Sequence, residues 1–176
     1  MNPLTQFKKI SILPLLIAPA LVALAAFTAV PARATPSCGF TSTNLSVGTF
    51  PSGSLDLMCE DEERQWELEM KVRGDSDVYV SQRTIQPGGQ TGWHTHPGPT
   101  LITVIQGTVT DYQDDCTFTT YSAGETFTDP GCGDVHNVVN ETGVEVRAVA
   151  VQIVPHGAPL RIDADDPGCP QVPPCP

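Results

Sequence analysis

Two histidines one residue apart, in Gly92-Trp93-His94-Thr95-His96-Pro97, are the residues of this 176-residue chain best placed to do chemistry. In an extended strand, residues i and i+2 project from the same face. His94 and His96 can then both reach one cation at about 2.0–2.1 Å, while Trp93 and Thr95 point the other way. A third donor must come from another segment. His136 lies in the strand-like stretch Val135 to Asn140, and closure of a sheet into a barrel brings such a segment beside the first. Three neutral imidazoles suit one divalent transition metal: iron, zinc, manganese, nickel or copper. The positions they leave open admit water or a substrate, as catalytic sites do. Their lack of charge leaves the cation uncompensated, which favours anionic small molecules or a bound hydroxide. Asp134, two residues before His136, would share its strand face and is the candidate carboxylate for the same ion. His156, in Pro155-His156-Gly157, reads as an exposed loop residue.

Such residues need a scaffold of short strands, and the chain is patterned for one. Trp66, Leu68, Met70 and Val72 alternate with Glu67, Glu69 and Lys71, the period of a strand with one buried face. Asp75 to Asp77 turn the chain, and Val78, Val80 and Ile85 sit in a second extended stretch that ends in a reversal at Pro87-Gly88-Gly89. Leu101 to Ile105, Gly107 and Thr108 to Tyr112 read as a hairpin. Cys116 to Tyr121, Gly124 to Asp129, Val135 to Asn140 and Val144 to Val154 add strands separated by Gly, Pro, Asn and Asp. Gly88, Gly98, Gly107 and Gly124 read as backbone-geometry residues, and Tyr112 and Gln86 as candidate cavity walls. No helical periodicity stands out. The expected fold class is all-β, an antiparallel sandwich or barrel, of which the jelly roll is one solution.

Gly88, five residues, His94-Thr95-His96, three residues, Thr100, six residues and Gly107 resemble the first cupin motif. Gly124, five residues, Pro130, then Gly133, two residues, His136, three residues and Asn140 are similar to the second, with one extra residue between Pro130 and Gly133. The resemblance covers roughly residues 62–160. It implies a cupin-type double-stranded β-helix, a jelly-roll barrel, with a metal near its centre held by His94, His96 and His136. Many cupins carry a glutamate where this chain has Thr100, and a hydroxyl is a poor substitute for a carboxylate on a divalent cation. The resemblance therefore implies a three-histidine site with Thr100 outside the metal's ligands.

Around that domain, Lys8 and Lys9 precede an uncharged apolar run from Ile10 to Val30, and Ala32-Arg33-Ala34 offers a cleavage site, the pattern of a secretory leader over residues 1–34. Residues 35–61 form a lead-in, 62–160 the barrel and 161–176 a Pro- and Cys-rich tail. The formal charge is −11. Loss of the leader removes Lys8, Lys9 and Arg33 but no acid, leaving six basic residues against twenty acidic ones. Such a surface excludes nucleic acid and bare anionic membranes as partners. All six cysteines follow the leader, so up to three disulfides are expected in a secreted or periplasmic protein, with Cys169 and Cys175 stapling the tail to the body. The expected partner is a small-molecule ligand or substrate, and a homodimer is compatible with the fold. Three functional readings stay open at this point: a metal-dependent enzyme of oxygenase type, a non-catalytic barrel that holds a small ligand or metal, and a structural barrel with a vestigial site.

Overall fold

The computed structural model describes residues 35–175, and the expected leader lies outside the described residues. Among them are twelve strands and no helix. The central element is β4 (Ser76–Gln90), which pairs antiparallel with β11 (Val146–Pro155), Ser76 opposite Pro155 and Ile85 opposite Val146. Strand β11 continues to β6 (Thr100–Gln106), and β6 to β9 (Thr126–Asp129). The opposite wall is built on β10 (His136–Val139), which pairs with β7 (Thr108–Gln113), and β7 with β8 (Phe118–Ser122). Strand β10 also meets the end of β4 and the two-residue β5 (His94–Thr95), which β12 (Ile162–Asp163) closes from outside. With β1 (Cys38–Phe50) these form one ten-stranded sheet that wraps into a nearly closed barrel.

Alternation explains which side chains face inward. Along β11, Val146, Ala148, Ala150, Gln152 and Val154 are buried while the residues between them are not. Four of these five are small or β-branched apolar residues that fit a pleated inner face. Val146, Ala148 and Ala150 join Ile85, Ile102, Val104, Val109, Phe127 and Val138 in the main core. A second cluster, Trp93, Tyr112, Val139 and Cys169, lies on the far side of the histidine segment. Trp93 therefore does point away from its histidine neighbour, but into a second core rather than into solvent.

Several local expectations are corrected. Strands β6 and β7 do not form a hairpin: β6 pairs with β11 and β9, β7 with β10 and β8. Gly107 is instead a corner at which the chain crosses between walls, with a positive φ and with Glu145 O and Val146 packed where a Cβ would lie. The reversal expected at Pro87-Gly88-Gly89 is a bulge within β4. Partners on β1 advance from Cys38 to Phe40 while those on β4 jump from Gln90 to Ile85, so the intervening residues are extruded. The polar stretch after Pro36 is not irregular. It forms β1 and covers the edge of β4 that β11 leaves free. Finally, β3 (Trp66–Lys71) pairs only with β2 (Asp56–Asp61), and this ribbon stands apart from the barrel sheet. Its alternation is real, but among the described residues the apolar face is left largely open: Trp66 is 51% and Leu68 39% exposed.

Disulfides Cys38–Cys175 and Cys116–Cys169 join the tail to the first strand and to the turn after β7. The tail staple expected from the sequence is present. The third bridge is not, because Cys59 sits on the detached ribbon and Cys132 in the loop before β10, and both are free and exposed.

Candidate metal centre

The barrel brings His94, His96 and His136 together. His136 on β10 is the register partner of His94 on β5, and His96 follows that strand by one residue. All three are buried, and one nitrogen from each lies within 4.8 Å of the others. The loop carrying His96 is pinned by Cys132 N, which donates to His96 O (2.7 Å), and by Gly133 N, which donates to Thr95 Oγ1 (3.2 Å). Gly131 permits that approach: it has a positive φ, and a Cβ there would collide with Gly98 O.

Each ring is fixed by an acceptor at Nδ1. His94 Nδ1 donates to Gly92 O (2.8 Å), His96 Nδ1 to Leu160 O (2.5 Å) and His136 Nδ1 to Asp111 Oδ1 (2.9 Å). Carbonyl and carboxylate oxygens can only accept, so neutral His94 and His136 carry the proton on Nδ1 with the Nε2 lone pair free. The Leu160 carbonyl favours the same tautomer at His96, whose Nδ1 also lies 2.9 Å from Gln152 Nε2. Gln152 donates to the same Leu160 carbonyl (2.7 Å), and Gln113 donates to the other oxygen of Asp111 (3.0 Å).

The sequence reading missed Asp129. It lies on β9 directly opposite Thr100 on β6, and both side chains face inward. One carboxylate oxygen accepts from Gly131 N (2.8 Å). The other, Oδ2, is 3.2 Å from His96 Nε2 and 3.3 Å from His136 Nε2, and none of these three atoms has a hydrogen-bond partner. Two imidazole nitrogens and a carboxylate oxygen thus converge in the buried interior. Proton capture is opposed by burial, which pushes His94 far below the ordinary imidazole range, helped by His136 and Arg161. Burial likewise takes His96 down to about 4, against the upward pull of the Leu160 carbonyl and Asp129. The arrangement fits a divalent transition metal, whose charge would satisfy all of these atoms at once.

Other sequence candidates fall elsewhere. Asp134 is exposed and away from the buried histidines, whereas Asp129 approaches two of them, His96 and His136, although the group of donor atoms within 4.8 Å of one another holds the three histidines alone. Thr100 is fully buried, with its hydroxyl unpartnered. Tyr112 packs in the second core, its hydroxyl donating to Glu141 (2.9 Å), and Gln86 bonds Glu145 at the surface. Asn140, the last position of the second motif, is structural: its amide donates to Ile85 O and Val144 O. His156 is exposed, as expected of a loop residue, and is held by Asp77.

An all-β barrel with three converging histidines defines the class. The model of the cupin domain matches residues 81–152, so the barrel of this chain carries a cupin domain. Among solved structures, the chain is similar to an uncharacterised conserved double-stranded β-helix protein from Klebsiella pneumoniae, at 26% identity over 50% of this chain and 75% of that one, with a TM-score of 0.44. It is also similar to the polyketide cyclase RemF from Streptomyces resistomycificus, at 19% identity over 77% and 80% of the two chains, with a TM-score of 0.49. A predicted oxalate decarboxylase from Thermotoga maritima matches at 18% identity over 47% and 83%, with a TM-score of 0.39. No curated protein matches the chain.

Proposed function

We propose that this is an exported cupin that holds one divalent transition metal on His94, His96, His136 and Asp129 and uses it on a small molecule entering the barrel. The observation that carries the reading is the convergence of the partnerless His96 Nε2, His136 Nε2 and Asp129 Oδ2 in the buried interior of the barrel. Export is supported by the two disulfides, which belong to an oxidising compartment, and by the leader-like first 34 residues. When bound, the metal supplies a Lewis acid with room for a further ligand. The chain's own part is orientation. Gly92 O, Leu160 O and Asp111 hold the three rings with Nε2 turned inward, and Asp129 provides the charged oxygen that Thr100 lacks.

The two departures from the cupin pattern fall around this one residue. Thr100 faces Asp129 across the ladder, and the extra residue of the second motif lies in the loop that immediately follows it. A glutamate at position 100 would compete with Asp129 for the same buried space, whereas threonine leaves it.

The test is metal content and affinity of the purified protein and its variants. About one divalent ion per chain is expected. His94→Ala, His96→Ala and His136→Ala should each remove most of it, Asp111→Asn should weaken binding about 10–100-fold through the loosened His136 ring, and Thr100→Ala should retain it. Asp129→Ala should weaken binding at least tenfold. Full affinity in Asp129→Ala would remove Asp129 from the ligand set, and full occupancy in His136→Ala would overturn the site.

A further inference from the structure

A cavity of about 240 Å³ opens beside the histidines, and His94, His96, Arg83 and Arg161 all line it. It is smaller than the ~300–1,000 Å³ typical of drug-sized ligands, so it suits a compact molecule. Its charge is at odds with the rest of the protein. In a chain where acids far outnumber bases, none of the residues lining this cavity is acidic.

The two arginines differ in a way that separates their roles. Arg161 is already engaged, donating from Nε to Asp163 (2.6 Å) and from Nη2 to Trp93 O (3.5 Å). Arg83 makes no ion pair among the described residues, and its Nε is buried without any partner. Arg83 as a whole is half-buried, but a guanidinium Nε shut off from water with no partner is costly unless something fills it. Burial brings its guanidinium down to about 10, with the Asp129 charge acting the other way, so it remains a cation at neutral pH. Its planar fork matches a carboxylate with two parallel hydrogen bonds.

We propose that Arg83 is the anion anchor of this cavity and that the small molecule it takes carries a carboxylate, held by the guanidinium while its remaining polar group faces His94 and His96. The second half rests on the metal reading above; the anchor itself does not. Part of the wall beside Arg83 comes from outside the segment that matches the cupin model, with Ser42 directly across the ladder from Arg83. Phe40, Ser42 and Asn44 of β1 and Leu160 of the approach to β12 complete the pocket, and the Cys38–Cys175 bridge fixes one end of β1. Selection among carboxylates is therefore built in part on elements outside the matched segment, with Ser42 and Asn44 offering neutral hydrogen-bonding groups.

The experiment is calorimetric titration of the zinc-loaded protein with glycolate and with its uncharged analogue glycolamide, on wild type, Arg83→Gln and Arg83→Lys, with zinc content measured on the same samples. Wild type should prefer glycolate at least tenfold. Arg83→Gln should lose that preference with zinc and cooperative unfolding intact, and Arg83→Lys should keep only part of it. Equal binding of acid and amide by wild type, or undiminished glycolate binding by Arg83→Gln, overturns the anchor. If Arg83→Gln does not fold, the discrimination by wild type and Arg83→Lys decides. Repeating the titration on metal-free protein separates the two readings. A chain that takes up no zinc yet still prefers the acid sinks the metal centre and keeps the anchor. One that loads zinc and ignores the charge sinks the anchor alone.

Discussion

The two tryptophans of this chain occupy opposite situations although both precede alternating segments. Trp93 is 1% exposed, wedged in the second core against Tyr112, Val139 and Cys169. Trp66 opens the ribbon strand β3 and is 51% exposed, opposite Asp61 on β2. Alternation of apolar and polar residues sets which side chains share a face. Whether that face is buried depends on another layer arriving to cover it, which in this fold happens in the barrel and not on the ribbon. Trp93→Ala should therefore cost about 3–5 kcal/mol, the range for deleting a buried aromatic side chain. Trp66→Ala should cost about 0.5 kcal/mol or less, as exposed substitutions usually do. Chemical denaturation of both variants checks the contrast, and similar losses at the two positions would mean that the ribbon is packed against something in solution.

The next effect down concerns how the barrel is held where the ribbon is not. Cys116–Cys169 closes a loop of 53 residues and ties the tail against the second core. Replacing both cysteines by serine should lower stability by about 2–4 kcal/mol. The ribbon's Cys59 is free and exposed, like Cys132. Both should react with a thiol reagent in the folded protein at two equivalents per chain. Fewer than two reactive thiols would show a third bridge.

The same contrast explains what could be read from the sequence. His94 and His96 were legible because one strand carries both and period two alone puts them on one face, and His136 because the second motif marks it. Asp129 was not. The reading looked along the strand from His136 and reached Asp134, which the fold leaves exposed. Asp129 enters the site through its position across the ladder from Thr100, a register that pairing creates and no local pattern states. Arg83 was missed for the same reason, since its neighbours in space come from β1, β5 and the segment before β12. Gly107 was misassigned because a glycine between two apolar runs is equally suited to a hairpin and to a corner. Strand β1 was read as a lead-in because its Ser, Thr and Gly content resembles a loop, whereas an edge strand with little to bury tolerates that composition.

The smallest expected effect lies at the end of β4 remote from the bulge, where His156, exposed after β11, donates from Nδ1 to Asp77 (2.8 Å). The hydrogen bond and charge of Asp77 raise His156 above the ordinary imidazole range. Asp77 is held below the ordinary carboxylate range, chiefly by the Gly157 amide, which donates to its other oxygen, and then by His156. The signs run in opposite directions. A raised histidine contributes stability that is complete below its unfolded value of about 6.5 and is lost as pH rises through its folded value. A depressed carboxylate contributes above its unfolded value of about 3.9 and is lost as pH falls through its folded value. The pair therefore works best between those limits, and His156→Ala should flatten the stability profile across neutral pH while leaving its acid limb, where Asp77 still accepts from Gly157 and Thr49. An NMR titration of the His156 ring reads the shift directly. A midpoint at or below that of a free imidazole would mean that the contact does not persist in solution and that Asp77 is held at this rim by Gly157 and Thr49 alone.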